Sequence, residues 1–208
     1  MLTLIAIVME ILLIIYGNVS MAYLFGISSF ILIMYSRFEI NKEYVGKRLI
    51  ILSSLSAVCA IFRILFAPVT IVRPTLAIII AMSSLVSPLE AFVMSSISSV
   101  IANMFLGQGL WTVYQMFAFG IAGLLSSLFI KNVKLLWLLI FGILDAALFC
   151  FIINISSFII YSKYTSFDLF INYFALSLPY DILLLVSTCI FLILFYNRLR
   201  NNIKINSS

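Results

Sequence analysis

Long apolar segments follow one another along nearly the whole chain, and this pattern limits the possible folds more than any other feature. A helix needs about 20 apolar residues to cross the hydrocarbon layer of a membrane, within a range of about 17–25. Eight apolar segments occur, and most approach this length: residues 2–16, 20–36, 49–66, 75–86, 89–106, 111–130, 135–161 and 172–197. The pattern predicts an all-α polytopic membrane protein.

The composition agrees with lipid as the solvent. Of the 208 residues, 65% are hydrophobic and 9% are charged, whereas a soluble domain carries about 25% charged residues. The 12 Lys and Arg and 7 Asp and Glu residues are too few to cover a globule of this size. No cleavable signal peptide is expected, because the first residues lack a basic n-region.

Missing residue types exclude several kinds of chemistry. The chain has no histidine, which excludes histidine general bases, Ser–His nucleophiles and histidine metal ligands. Cys59, Cys150 and Cys189 lie in apolar segments without CxxC spacing. We therefore expect buried hydrophobic side chains there, with neither a disulfide nor a metal site. No catalytic or metal-binding residue is predicted.

The basic residues predict how the chain is oriented. If the loop at 37–48 is cytoplasmic and the helices alternate, that side receives nine basic residues: Arg37, Lys42, Lys47, Arg48, Lys131, Lys134, Arg198, Arg200 and Lys204. The other side receives Arg63, Arg73 and Lys163. This asymmetry follows the positive-inside rule and places both termini in the cytoplasm. The net charge of +5 is then a topology signal and does not indicate a nucleic-acid partner.

The apolar segments divide the chain into four parts. Residues 1–36 form an additional N-terminal hydrophobic hairpin, either two spans or one bent segment, in which Glu10 weakens the first half. Residues 37–48 form a cytoplasmic basic loop, residues 49–197 a six-helix core and residues 198–208 a cytoplasmic tail. Within the core, Ser87-Pro88-Leu89-Glu90 matches a capping box and predicts a helix start with Glu90 as a cap near the cytoplasmic surface.

Polar residues within apolar segments are the candidates for function, because each is costly in lipid and usually faces a cavity or a partner. Most lie toward the predicted outer side. Amides on two helices joined by a tight turn can converge on one outer cavity. The alternatives are a snorkelling arginine, an aromatic belt and hydrogen bonds between helices. The residues concerned are Arg63, Asn103, Trp111, Tyr114 and Gln115 within the segments, and Arg73 and Gln108 in the connections between them.

Two carboxylates, Asp145 and Asp181, fall near the middle of their predicted helices. Asp181 follows Pro179 and Tyr180, and a proline inside a helix frees a backbone carbonyl and kinks the helix, often where a cavity is lined. Either carboxylate could pair with Arg63 or line a polar pocket. Asp145, Tyr180 and Asp181 therefore complete the predicted binding set.

Small residues recur at four-residue spacing in the segment at 49–66. Ser53 precedes Ala57 and Ser56 precedes Ala60 by one helical turn each. Such faces let helices approach closely. They indicate either packing within the chain or a docking face for another membrane protein.

These features together resemble the S components of energy-coupling factor (ECF) transporters, which are the substrate-binding membrane subunits of vitamin importers. The resemblance covers about residues 48–197, and residues 1–36 are additional to it. Two local patterns resemble the cobalamin-type branch: Asn103-x-x-x-Gly107-Gln108-Gly109-x-Trp111-Thr112-x-x-Gln115-Met116-x-Ala118-x-Gly120, and Arg63-x-x-x-x-Pro68 followed by Arg73-Pro74.

The resemblance implies a protein of the plasma membrane that captures a vitamin from outside with high affinity, using the loop after the first core helix as part of a lid. It implies cobalamin or a related corrinoid as the ligand, although riboflavin or a queuosine precursor would suit similar residues. It also implies docking through Ser53, Ser56, Ala57 and Ala60 onto a membrane coupling subunit that carries two cytoplasmic ATPases. The chain lacks a Gly-x-x-x-x-Gly-Lys-[Ser/Thr] loop, so ATP would act only through these partners.

Two other classes of function compete with this expectation. An intramembrane enzyme could use Asp145 and Asp181 as a pair that shares one proton, although neither residue lies in a Gly-x-Gly-Asp setting. A scaffold of cell-envelope assembly would need a larger soluble surface than the short predicted loops offer.

Overall fold

Six helices make up the part of the chain that the computed structural model describes, which is residues 42–69, 71–109, 111–130, 133–161 and 167–205. No strand occurs within these ranges, as predicted for an all-α protein. The predicted hairpin at 1–36 lies outside them. The helices are α1 (Lys42–Phe66), α2 (Thr75–Ser83), α3 (Pro88–Leu106), α4 (Trp111–Phe129), α5 (Leu135–Tyr161) and α6 (Phe167–Ile205).

Five of these helices are long and apolar enough to cross a membrane, so the chain is a multi-pass membrane protein. The exception is α2, which has nine residues. At 1.5 Å per residue it rises about 13.5 Å, less than half of a hydrocarbon layer about 30 Å thick. Of the six segments expected to span between residues 49 and 197, the second is therefore too short to do so by itself.

Two helices extend beyond the apolar segments that predicted them. α1 begins at Lys42, inside the segment predicted as a basic loop, and α6 continues to Ile205, inside the predicted tail. Lysine, arginine and glutamate favour helix nearly as well as leucine does. Hydropathy therefore located the limits of the apolar segments, but α1 begins before its segment and α6 ends after its segment.

α1 and α3 lie side by side and run in the same direction. Near their starts, Arg48 binds Glu90. Half-way along, the Ser56 hydroxyl donates to the Met94 carbonyl at 3.1 Å. Near their ends, Arg63 donates to Asn103. Because the residue numbers rise together on both helices, the chain between them must return across the bundle.

α2 and its flanking segments make this return. The side chains of α2 are apolar on every side, and a helix of that kind is stable only when it is surrounded. It packs on α4 and α6, and its central residues form the middle of the core: Leu76, Ala77, Ile78, Ile79, Ile80 and Ala81. The shortest helix is therefore the most enclosed.

Glu90 caps α3 and also joins it to α1. Its Oε2 accepts hydrogen bonds from the Ser87 backbone N–H at 2.9 Å and the Ser87 hydroxyl at 2.7 Å, which confirms its predicted capping role. Arg48 binds the same carboxylate through Nε and Nη2. Because Glu90 is only 2% exposed, this ion pair is what makes its burial tolerable. The sequence interpretation used Arg48 only as a topology signal and missed this partner.

The contact between α3 and α4 is the most extensive between two described helices, and small residues allow close approach along it. A Cβ atom on Gly123 would lie 2.8 Å from the Ala91 carbonyl oxygen and against the Ser95 hydroxyl. A Cβ atom on Gly120 would lie 2.6 Å from the Ser96 hydroxyl. In lipid, where the hydrophobic effect does not drive helices together, such close approach supplies the contact energy.

The outer surface of the bundle is apolar on the long helices. Large hydrophobic side chains on α1, α5 and α6 are exposed, among them Ile50, Leu65, Leu136, Leu144, Phe151, Leu176 and Leu194. Such a surface suits lipid tails. The side of the membrane that each end faces, with both termini cytoplasmic, stays a prediction.

The α3–α4 contact makes a stability prediction. Gly123→Ala should lower the free energy of unfolding by about 1–3 kcal/mol, because the new methyl group meets a backbone carbonyl that cannot move alone. Gly142→Ala is the matched control, since its methyl group would meet only the end of the flexible Leu192 side chain. SDS titration of the purified proteins in mixed micelles measures both changes. Equal losses for the two variants would contradict the prediction.

Candidate binding site

A cavity of about 270 Å³ opens at the end of the bundle where α1 and α3 finish and α4 begins. We call it the Arg63 cavity. Its volume lies just below the usual range for small-molecule pockets, about 300–1,000 Å³. It is lined by side chains from all six helices and from the connection after α1: Arg63, Phe66, Ala67, Val69, Val72, Arg73, Thr75, Leu76, Leu106, Gln115, Phe119, Phe149, Ile153 and Leu184.

Arg63 lies on the inward face of α1. Ser56, Cys59 and Ala60 precede it by seven, four and three residues, and all three are buried. Its Nη2 donates hydrogen bonds to Asn103 Oδ1 at 3.0 Å and to Gln115 Oε1 at 2.7 Å. Its guanidinium carbon also lies 5.1 Å from the centroid of the Phe119 ring. These contacts hold the charge inside the bundle, so Arg63 does not snorkel toward the surface.

Asn103 connects Arg63 to the start of α4. Its Nδ2 donates to Thr112 Oγ1 at 3.0 Å and to Gln115 Oε1 at 2.8 Å, and the residue is 2% exposed. The tight turn after α3 makes this possible. There Gly107 has φ of 107°, a conformation that residues with a Cβ rarely adopt. The structure thus brings Asn103 and Gln115 together beside the cavity, and that this cavity is on the outer side stays a prediction.

Residues that were not in the predicted binding set lie in or beside the cavity. Phe119 lies on the same face of α4 as Gln115, and Thr112 beside them completes the Asn103 network. Their spacing of three and four residues from Gln115 was a usable signal. Phe149 comes from α5, and its ring centroid lies 4.4 Å from that of Phe119. Nothing in the sequence distinguished Phe149 from the other phenylalanines.

Three predicted binding residues lie away from the cavity. Gln108 is exposed and donates to the Val100 carbonyl at 3.2 Å. Trp111 is exposed and covers Gly109, whereas Tyr114 is buried within the helix packing. Neighbouring positions on a helix differ by about 100° in direction. Tyr114, which precedes Gln115 by one position, therefore faces another way, whereas Gln108 lies in the turn before α4 and Trp111 is the first residue of that helix.

Arg73 lines the cavity from the connection before α2. Its backbone N–H donates to Ser187 Oγ at 2.7 Å, which fixes this connection to α6. Its guanidinium carbon lies 5.6 Å from the centroid of the Tyr180 ring. Tyr180 thus contacts Arg73 without lining the cavity itself.

The two aspartates take separate partners. Asp181 accepts hydrogen bonds from Asn154 Nδ2 at 2.8 Å and Ser177 Oγ at 3.0 Å. Asp145 is 2% exposed and accepts one from Ser126 Oγ at 3.4 Å. Neither residue lines the Arg63 cavity.

This placement argues against two suggestions about the aspartates. Arg63 is bound by Asn103 and Gln115, so the suggested pairing of either aspartate with Arg63 is wrong. Asp181 binds Asn154 of α5. Asn154 lies nine residues after Asp145 on that helix, which is about 13.5 Å along its axis. A single proton shared between the two carboxylates is not supported by this arrangement.

The small residues of α1 separate into two rows. Ser56 and Ala60 are buried inside the chain, and Ser56 donates to the Met94 carbonyl of α3. They serve packing within the chain and are not accessible for docking. Ser53 is exposed and Ala57 is partly exposed, so only this row can meet another protein.

The described residues contain no group of three or more His, Cys, Asp or Glu side chains that could hold a metal ion. Comparisons with protein-family models, curated proteins and solved structures found no match to the chain. The interpretation of the site therefore depends on its own geometry.

The hydrogen-bond network makes a second stability prediction. Gln115→Leu should lower the free energy of unfolding by about 2 kcal/mol, because Arg63 and Asn103 both lose the acceptor that they share. Gln108→Leu makes the same chemical change on an exposed residue and should alter stability by less than about 0.5 kcal/mol. Unfolding in SDS compares the two variants. A Gln115 variant as stable as the Gln108 variant would show that the network contributes little.

Proposed function

We propose that this chain is the substrate-binding membrane subunit of an ECF-type importer, which captures a vitamin outside the plasma membrane and delivers it to an ATP-driven module. The observation that carries the proposal is the Arg63 cavity. There an arginine–amide network and an aromatic wall meet at the end of the bundle that the positive-inside rule places outside.

The chemistry of the cavity favours binding over reaction. Arginine, glutamine and aromatic side chains recognise ligands by hydrogen bonds, charge and stacking. The two aspartates, which an intramembrane enzyme would need as a pair, are engaged elsewhere by Ser126 and by Asn154. The observations thus support a protein that holds its ligand unchanged.

The volume of the cavity bears on the choice of ligand. At about 270 Å³, it is small for a corrinoid, which exceeds drug-sized ligands. The lining residues Ala67, Val69, Val72 and Arg73 belong to the connection between α1 and α2, which would have to move to admit cobalamin. A smaller heterocycle, such as riboflavin or a queuosine precursor, requires a smaller movement. We keep cobalamin, riboflavin and a queuosine precursor as separate arms of the test.

The exposed row on α1 is the proposed docking surface for the membrane coupling subunit and its two ATPases. Ser53 and Ala57 form a shallow notch, because the side chains of Ile50 and Ile61, which flank them, are large and exposed. α1 also has the smallest buried share of the five long helices. Small residues between larger ones let a partner helix approach closely in lipid.

Thermal unfolding of the purified protein against a panel of vitamins tests ligand binding. The correct ligand should raise the melting temperature, since it binds only the folded state. Gln115→Ala should weaken binding by about tenfold or more, because it removes a group that lines the cavity and positions Arg63. Gln108→Ala is the matched control and should bind as the unmodified protein does. Unchanged binding in the Gln115 variant would reject this cavity as the site.

Co-purification tests docking. Ser53→Phe should abolish association with the ATPase-bearing module while leaving ligand binding intact, because the ring fills the notch. Ala147→Phe introduces the same ring on the exposed face of α5 and should leave association unchanged. Association that survives in Ser53→Phe would overturn the docking surface, and failure of the unmodified protein to associate with any ATPase would overturn the transporter proposal.

A further inference from the structure

The lining of the Arg63 cavity includes charged side chains. Among the described residues that line it, Arg63 and Arg73 are basic and none is acidic. The four acidic side chains that the structure describes, Glu90, Asp145, Asp168 and Asp181, all lie outside this lining. The charged side chains of the lining are therefore all positive.

The hydrogen-bond acceptors of the Arg63 guanidinium are both neutral. They are the Asn103 and Gln115 amide oxygens, and the Phe119 ring is also neutral. The Nη1 atom of Arg63 is buried and makes no hydrogen bond with the described part of the chain. A charge enclosed in this way is costly unless an opposite charge accompanies it. Neutral dipoles offset only part of that cost, so a negative group in the cavity would stabilise the site.

α2 adds a further positive end to the same cavity. Its first two residues, Thr75 and Leu76, are among the lining residues. The helix begins after Pro74 without a hydrogen bond from a capping side chain. The N–H groups at the start of a helix and its macrodipole favour an anion there.

The rest of the lining is apolar. Phe66, Leu76 and Leu184 contribute aliphatic and aromatic surface, and the rings of Phe119 and Phe149 form one wall. Such a wall suits a flat ring or a short hydrocarbon body. The ligand that matches both features has a negative group at one end and an apolar body at the other.

We propose that the Arg63 cavity binds a small organic anion, namely an ionised carboxylic acid with an aromatic or other apolar body. This inference rests on the proposed function, and it replaces cobalamin, riboflavin and a queuosine precursor, none of which is a carboxylic acid, with an acid as the ligand that the subunit delivers. Arg63 and Arg73 supply the opposite charge, Gln115 holds Arg63 in place, and the Phe119–Phe149 wall contacts the body. The planar carboxylate suits a guanidinium better than any neutral amide does.

Matched acid and amide pairs test this proposal on the purified full chain. The probes are benzoate and benzamide, nicotinate and nicotinamide, and 2-naphthoate and 2-naphthamide, which differ within each pair chiefly in charge. Equilibrium dialysis should show that at least one acid binds at least tenfold more tightly than its amide. Equal binding within every pair, tighter binding of the amides, or no binding of any acid would overturn the proposal.

Substitutions test whether the preference for the acid over the amide arises in the Arg63 cavity. Arg63→Gln should abolish the preference for the acid, whereas Lys134→Gln removes one positive charge on the connection before α5 and should preserve it. If Arg63→Gln fails to fold because Asn103 and Gln115 lose their partner, Arg73→Gln is the second test. The backbone N–H of Arg73 binds α6, and the substitution retains this attachment although it removes the contact of the guanidinium with the Tyr180 ring. This variant should lose at least threefold of the preference for the acid. A preference unchanged by Arg73→Gln and by any folded Arg63→Gln would overturn the assignment to this cavity.

The anion site and the transporter function can fail independently, and the experiments distinguish the two failures. An acid preference without association with an ATPase-bearing module would support the anion site and overturn the transporter assignment. Binding of an uncharged vitamin in this cavity, with association and without an acid preference, would overturn the anion site alone.

Discussion

The structure depends on one constraint, which is that a charged group inside a membrane bundle has no water to solvate it. Arg63 meets this constraint through Asn103 of α3 and Gln115 of α4. The same hydrogen bonds bring the ends of three helices together and place a cationic group beside a cavity. The interactions that stabilise this end of the bundle and those that suit it to a ligand are therefore the same.

A second polar contact, between Arg48 and Glu90, joins α1 and α3 near their starts. Contacts near both ends make the two helices parallel neighbours, and parallel neighbours require a connection that returns across the bundle. That connection contains α2, which is short and almost fully surrounded by apolar side chains. Its N-terminus begins at the cavity, so the topology that follows from the parallel pairing of α1 and α3 also shapes the proposed site.

Much of the helical pattern could be predicted, because it follows from local physics. Apolar length and a proline-containing cap located α3, and α5 was located to the residue. Arg63 and Gln115 could be selected because polar residues in apolar segments are costly, and Arg73 was selected as a second arginine in the connection after α1. Phe149 could not be selected in this way, since phenylalanine is ordinary in a membrane helix. Trp111 and Gln108 were selected as part of the pattern that resembles the cobalamin-type branch, but both are exposed, Gln108 in the turn before α4 and Trp111 at the first residue of that helix.

The sequence by itself determined that the chain is a helical membrane protein with few charges and that several of those charges lie inside apolar helices. Both conclusions depend on the free energy of placing each residue type in lipid, which is a local property. Only the tertiary structure decided which charges find partners: Arg48 with Glu90, Arg63 with two amides, and the aspartates with hydroxyl and amide groups. It also decided which small residues pack inward and which remain exposed. Those outcomes depend on the direction of each side chain and on the order in which helices neighbour one another, and neither can be obtained from residue spacing within one helix.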